Sequence, residues 1–226
     1  MLILQQLSTR PVSATLLRAR TQRGISLIEV VIGMVIVGML FALGAPSFFG
    51  WIQNSKIRTA AEGIQSGLQL ARAEAVRRNA TVQFALVNDL TSSCAFSATG
   101  TNWIVSQDDA TGKCNVDPDP TAAPRTVQKS TSAAGGAASL TVSASLSGTG
   151  VALPNAIIFN GLGRLAAGSN IPAGSAAWIN ISNPTAGACV AASGSVRCMR
   201  VEVTTAGQIR MCDTAVAFST TSPQGC

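Results

Sequence analysis

The chain has 226 residues, with 16 Lys and Arg against 10 Asp and Glu and no histidine. That length suits one domain plus a membrane segment, and the missing imidazole removes the commonest general base and the commonest zinc ligand. The net charge of +6 does not mark a nucleic-acid binder: Arg10, Arg18, Arg20 and Arg23 stand together ahead of an apolar run, and without them twelve bases face ten acids, a net of +2.

Residues 1–24 read as a basic leader, whose arginines keep the N-terminus in the cytoplasm by the positive-inside rule. Residues 25–52 then form an apolar run longer than the roughly 20 residues that span a hydrocarbon core. The competing readings are a plain single-span anchor and a secretory signal cut after Gly44, since Ala42-Leu43-Gly44 is a small-x-small site. Secretory signals carry shorter apolar regions, of about 7–15 residues. Glu29 is the one charge between Gly24 and Ser55. A carboxylate in such a helix costs about 2.5–3.5 kcal/mol at mid-membrane and by default needs a partner. Cleavage after Gly24 would create one, the free amine of Ile25; the alternative is a solitary, protonated Glu29. Pro46 removes a backbone donor and is expected to loosen the helix, while Gly33, Gly38 and Gly44 weaken it or admit close helix packing.

The helix is expected to continue past the membrane. Ile57, Ala61, Ile64, Leu68, Ala71 and Ala75 recur at spacings of three and four, one apolar stripe, while Lys56, Glu62, Gln69, Arg72 and Arg77 fall off it. One helix from about Ile25 to Arg78 follows, its second half (53–79) lying against a head domain, with Asn79 as its C-terminal cap.

From residue 80 the pattern is β-rich. Strands are predicted at Thr81–Val87, Trp103–Ser106, Ala138–Ser145, Ala156–Phe159, Ala177–Ile181, Met199–Thr204 and Gln208–Cys212. Asp108–Gly136 reads as the least regular stretch, because Pro118, Pro120 and Pro124 interrupt any ladder. The last two strands can be registered. A three-residue loop, Thr205-Ala206-Gly207, pairs Thr204 with Gln208 and Glu202 with Arg210, and it collects Val201, Val203, Ile209 and Met211 on one face. Gly207 fills the left-handed loop position. Trp103 and Trp178 are expected in the core. Asp108-Asp109 and Asp117-Pro118-Asp119 read as solvated loop carboxylates in preference to a calcium site or acid–base pair.

Cys94, Cys114, Cys189, Cys198, Cys212 and Cys226 all follow the apolar run, and no Cys-x-x-Cys occurs. In an exported head that reads as periplasmic disulfides, ahead of a four-cysteine zinc site with irregular spacing. Fifteen pairings are possible. The local set Cys94–Cys114, Cys189–Cys198 and Cys212–Cys226 is expected, since Ser193-Gly194 can turn within the second pair and Pro223 and Gly225 let the tail fold back. No catalytic set emerges: the chain reads as a non-enzyme taking no cofactor or metal.

The block Arg23-Gly24-Ile25-Ser26-Leu27-Ile28-Glu29 resembles the class III signal of type IV pilins and pseudopilins, in which most members carry Phe where this chain has Ile25. Ala45-Pro46-Ser47-Phe48 resembles the usual proline site of those proteins. Ala71-Arg72-Ala73-Glu74-Ala75-Val76-Arg77-Arg78-Asn79 resembles the helix end of the FimT/GspH group of minor pilins and pseudopilins. Phe159-Asn160-Gly161-Leu162-Gly163-Arg164 resembles that group's mid-head strand and turn. Gly207-Gln208-Ile209-Arg210-Met211-Cys212 is similar to a Gly-Arg-x-Arg-x-Cys motif of the FimT branch, with Gln208 in place of the first Arg. Residues 91–150 resemble no family.

The resemblance implies a pilin-like α+β fold: a long N-terminal transmembrane and amphipathic helix packed on a β-rich, disulfide-bonded globular head. It implies a single-pass inner-membrane protein with a periplasmic head, a leader removed between Gly24 and Ile25 by a prepilin peptidase, and N-methylation of Ile25. Assembly with other pilins follows, with Glu29 paired to a neighbour's N-terminus and setting the axial register. The function so implied is that of a minor pilin in the initiation or tip complex of a type IV pilus; a pseudopilin of a type II secretion system shares the same N-terminal chemistry. A third implied function is DNA capture in natural transformation, for which Arg164, Arg197, Arg200 and Arg210 are the candidate phosphate contacts. The registered hairpin puts Glu202 opposite Arg210, which favours a solvated β face.

Overall fold

The computed structural model describes residues 24–131 and 139–226, and the side chains of residues 44–47 and 131 fall outside that description. The predicted leader, apart from Gly24, and the loosening expected at Pro46 therefore lie outside the described residues. By its internal contacts the chain divides into two units, Met1–Gly44 and Ala45–Cys226.

Helix α1 runs Leu27–Arg78. Ser26 starts it: the Glu29 N–H donates to Ser26 Oγ at 3.3 Å, the serine half of a Ser-x-x-Glu capping box, with Glu29 in the first turn where the helix dipole favours an anion. Asn79 stops it. Its φ of 48° is left-handed, and the Ala80 N–H reaches back to the Ala75 carbonyl at 3.2 Å, the six-residue closure of a Schellman end.

In the first unit the large apolar side chains, from Leu27 to Leu43, are exposed, at 83% and 82% for those two. Taken as separate pieces, neither Leu27–Leu43 nor Phe48–Arg78 is long and apolar enough to cross a membrane; together they meet that test of length and composition.

In the second unit α1 is a core element. Ile57, Ala61, Ile64, Leu68, Ala71 and Ala75 are all fully buried, the predicted stripe without exception. They share one core with the inner faces of two four-stranded antiparallel sheets. The strands are β1 (Val82–Val87), β2 (Asn102–Ser106), β3 (Thr126–Thr131), β4 (Thr141–Leu146), β5 (Ile157–Phe159), β6 (Ala176–Ser182), β7 (Met199–Thr204) and β8 (Ile209–Asp213). The first sheet has the order β3-β2-β1-β5 and the second β4-β6-β7-β8. The β7–β8 register is the one the sequence predicts: Glu202 faces Arg210, Val203 faces Ile209, and Thr204 N–H donates to the Gln208 carbonyl at 3.0 Å. Gly207 holds φ 81° in the loop.

One expectation fails. Residues 108–136 are not wholly irregular, because Thr126–Thr131 forms β3 and pairs along β2 from Ser106 to Asn102. The prolines all precede it. β3 is also a sheet edge, where a strand needs only one ladder. A second surprise is β1, whose residues are buried on both sides. A second core explains it. The loops after β1 and β2 fold back over the outer face of the first sheet, the first bringing Cys94 and the second Ala110 and Cys114 onto Ala85, Val87 and Ile104. A strand covered twice has no need of alternation.

The disulfides are Cys94–Cys114, Cys189–Cys198 and Cys212–Cys226, the local set. Each closes a surface loop onto a strand or its own neighbour, which limits the unfolded chain and is worth about 2–4 kcal/mol per bond.

The helix can lie this close to the first sheet because of Gly67. A Cβ there would sit 2.9 Å from the Phe84 ring and 3.0 Å from Trp103, two buried rings whose centroids are 5.6 Å apart. Gly63, one turn earlier, has nothing within 4 Å. The two glycines should respond oppositely. Gly63→Ala should stabilise the protein by up to about 1 kcal/mol through helix propensity. Gly67→Leu should destabilise it by about 1–3 kcal/mol despite the same propensity gain, because it overpacks the core. Thermal melts of the detergent-solubilised chain test both; equal shifts of one sign would refute this account of Gly67.

Candidate functional site

Two constellations carry chemistry. The first is the N-terminus of α1. Ile25 is exposed, and Glu29 stands one turn into the helix among exposed apolar side chains. The Ser26 contact gives Glu29 a local role as a first-turn acid, legible in the sequence as Ser-x-x-Glu but not read there. Among the described residues no cation lies against it.

The second is the outer face of β6, β7 and β8. Alternation along β7 sends Val201 and Val203 inward and Arg200 and Glu202 outward. Trp178 on β6 shares this outer face and is half-buried, a correction to its expected place in the core: Ala177 and Ile179 take the inward positions and are fully buried. The Arg200 guanidinium lies 3.9 Å over the Trp178 ring and donates to Asn180 Oδ1 at 2.8 Å. Trp178 Nε1 donates to Glu202 at 3.0 Å. Glu202 accepts from Arg210 at 2.7 Å, and Arg210 also donates to the Gly225 carbonyl at 3.2 Å and lies over Phe218. The result is a satisfied chain of aromatic, cation and carboxylate from β6 to the C-terminal tail.

Burial pushes the Glu202 carboxyl up, but the Arg210 and Trp178 hydrogen bonds and the charges of Arg210 and Arg200 outweigh it and hold Glu202 below the usual carboxylate range. Burial pushes the Arg200 guanidinium down, against the opposing charge of Glu202.

The four arginines expected to contact phosphate are not one free patch. Arg200 and Arg210 are spent in the chain just described. Arg197 lies two residues before β7, off the face that carries Arg200 and Glu202, and reaches Asp213 at 3.5 Å. Arg164 is exposed on the turn after β5. That turn is structural: Arg72 Nε donates to the Gly163 carbonyl at 3.1 Å, and Leu165 N–H donates to Thr205 at 3.1 Å, so it ties the helix end to the β7–β8 loop. Phosphate affinity needs several unpaired cations, and this face supplies none in surplus.

The acidic loops are likewise engaged. Asp108 forms a bidentate pair with Arg125, whose hydrogen bonds hold the carboxyl below its usual range. Asp109 and Asp119 cap their own turns through Thr111 and Thr121. Lys129 of β3 donates to the Cys114, Asn115 and Val116 carbonyls and so ties the disulfide loop to the sheet edge.

An apolar N-terminal helix with one carboxylate, continued into a two-sheet disulfide-closed head, defines a prokaryotic pilin-like subunit. Residues 19–45 match the prokaryotic N-terminal methylation motif, and residues 60–207 match the family described as Type II transport protein GspH. The chain belongs to that family and is a FimT/GspH-like pilin, of the structural class that comprises type IV pilins, minor pilins and pseudopilins. No curated protein matches its sequence. Similar solved structures include the type IV minor pilin FimU of Pseudomonas aeruginosa PAO1 in two crystal forms. The first is 16% identical with a TM-score of 0.47, covering 75% of this chain and 97% of FimU. The second is 16% identical with a TM-score of 0.45, covering 72% and 97%.

The depressed Glu202 carboxyl makes a pH prediction. Its stabilisation is complete above the unfolded value of about 4.3 and is lost as pH falls through the lower folded value. Glu202→Gln should therefore melt below wild type at pH 7, by the loss of an ion pair worth about 1 kcal/mol when part-exposed. The gap should close below about pH 4. A gap that persists unchanged at pH 3 would show that shape and not charge holds the face together.

Proposed function

We propose that the chain is a minor subunit of a type IV pilus that helps to initiate or cap the filament. The carrying observation is the exposed apolar helix of the methylation-motif segment with Glu29 as its one charge. Such a surface must be covered by lipid or by other helices, and the unpaired carboxylate selects what covers it. In this reading a prepilin peptidase cuts between Gly24 and Ile25, the new Ile25 amine is methylated, and residues 25–52 cross the inner membrane once with the head in the periplasm. In the filament, Glu29 meets the N-terminal ammonium of a neighbouring subunit. Two charges in a dry helical core recover their desolvation cost only when they are closely paired, so the contact forms only at the correct axial stagger.

The family match itself favours a second reading, a pseudopilin of a type II secretion system. The tail motif ending in Cys212 supports the pilus. Deletion of the gene decides between them: loss of surface pili with normal protein secretion supports the pilus, and the converse supports the pseudopilus.

Mass spectrometry of the membrane-extracted protein should show a chain beginning with N-methylated Ile25. A retained Met1, or a start near Ala45, would overturn the prepilin reading. Glu29→Ala should leave membrane insertion intact and lower recovery in sheared filaments about tenfold, as loss of about 1.4 kcal/mol of contact would. Wild-type recovery in a strain lacking the native copy would remove Glu29 from the assembly mechanism.

A further inference from the structure

Where α1 leaves the apolar run it carries Phe48, Phe49 and Trp51, all well exposed, with the Phe48 and Trp51 rings 5.9 Å apart. Exposed aromatics, Trp above all, collect at the membrane–water boundary, and Trp51 follows Gly44 by only seven residues in the sequence. Beside this belt a cavity of about 530 Å³ opens between one face of α1 and the β7–β8 end of the second sheet. Trp51 and Arg58 line it from the helix, two turns apart on one face; Arg197, Met199, Met211 and Asp213 line it from the sheet.

Both guanidiniums are open to solvent, with side chains 67% and 64% exposed. Among the described residues Arg58 pairs with Glu62 alone, on its own helix and exposed, a contact of small net worth. Arg197 reaches Asp213 at 3.5 Å, beyond a good charge-assisted hydrogen bond. Asp213 already accepts the Ala215 N–H at 2.8 Å. The groove thus has an apolar end at the aromatic belt and two exchangeable cations at its rim.

We propose that this groove seats an anionic phospholipid of the bilayer that holds α1, with Arg58 and Arg197 on its phosphate and Trp51, Met199 and Met211 along its glycerol and upper acyl segment. The polarity runs in the required direction. Trp51 is nearest the apolar run, and Arg58 lies about 10 Å further along the helix. Arginine fits phosphate with two parallel donors, and its apolar stem can lie along the groove while the head reaches the phosphate. Such a contact would hold the head against the bilayer and would break when the subunit is withdrawn from lipid. The inference rests on the membrane-anchored reading of residues 25–52.

The test uses the whole processed chain in nanodiscs made of equimolar phosphatidylglycerol and phosphatidylcholine, with native mass spectrometry of the lipids that remain bound. Wild type should retain phosphatidylglycerol several-fold over phosphatidylcholine. The double variant Arg58→Gln, Arg197→Gln should lose that preference with an unchanged melting temperature, Arg58→Lys, Arg197→Lys should keep part of it, and Arg164→Gln should keep all of it. Equal retention of both lipids by wild type, or a preference that survives the double Gln variant, overturns the lipid site. So does loss of a co-purifying second pilin, in place of lipid, in the double variant, which would make the groove a subunit contact. A chain that fails to enter nanodiscs and washes off membranes in carbonate instead overturns the anchored reading, and the lipid site with it.

Discussion

The head depends on one contact, the burial of a narrow helix face between two sheets. Ile57, Ile64 and Leu68 supply the volume, and Ala61, Ala71 and Ala75 keep the backbone near the strands. Gly67 lets it approach Phe84 and Trp103 to van der Waals distance. Neither sheet is viable alone. Each exposes an apolar inner face, four strands wide, that only α1 and the opposite sheet can cover. Every later feature hangs on that arrangement, including the outward placement of Arg200 and Glu202, which follows by alternation once Val201 and Val203 are committed to the core.

The same helix serves two environments. Beyond Ile57 it has a stripe and a solvated back; before Trp51 it is apolar all round. An amphipathic helix is stabilised by one partner surface, whereas a uniformly apolar one needs a medium or several partners. In the proposed reading, assembly would use this division: the first part of α1 would pass from lipid to a helical bundle, while the head draws its core from the second part. In the proposed pilus reading Glu29 would act as a filter, tolerating the bilayer at a cost and rewarding only the arrangement that brings a cation to it.

The outer face of β6, β7 and β8 shows how a tempting motif can be structural. Arg200 and Arg210 invite a phosphate reading, but each lies over an aromatic ring, and Glu202 bridges Arg210 to Trp178. The tail closed by Cys212–Cys226 brings Phe218 and the Gly225 carbonyl to Arg210. This face is knitted to the C-terminus and has little charge left over to attract a polyanion.

Much of this was legible in the residues. The stripe from Ile57 to Ala75, the Asn79 stop, the register of the last hairpin and the local disulfides follow from short-range rules: helical period, left-handed caps, face consistency and loop closure. What escaped depended on distant covering. β3 was hidden because its neighbours in sequence are prolines while its partner, β2, lies twenty residues back. The burial of both faces of β1 depends on the loops after β1 and β2, which return over it, and Trp178 faces out because Ala177 and Ile179 claim the core. The sequence by itself determined that the chain carries an N-terminal methylation motif, an apolar helix with one carboxylate and a β-rich head. Tertiary structure alone decided which arginines are spent, which aromatic ring lies under a cation, and where a groove opens beside the aromatic belt. Those outcomes depend on which residues meet across the fold, and chain order does not encode that separation.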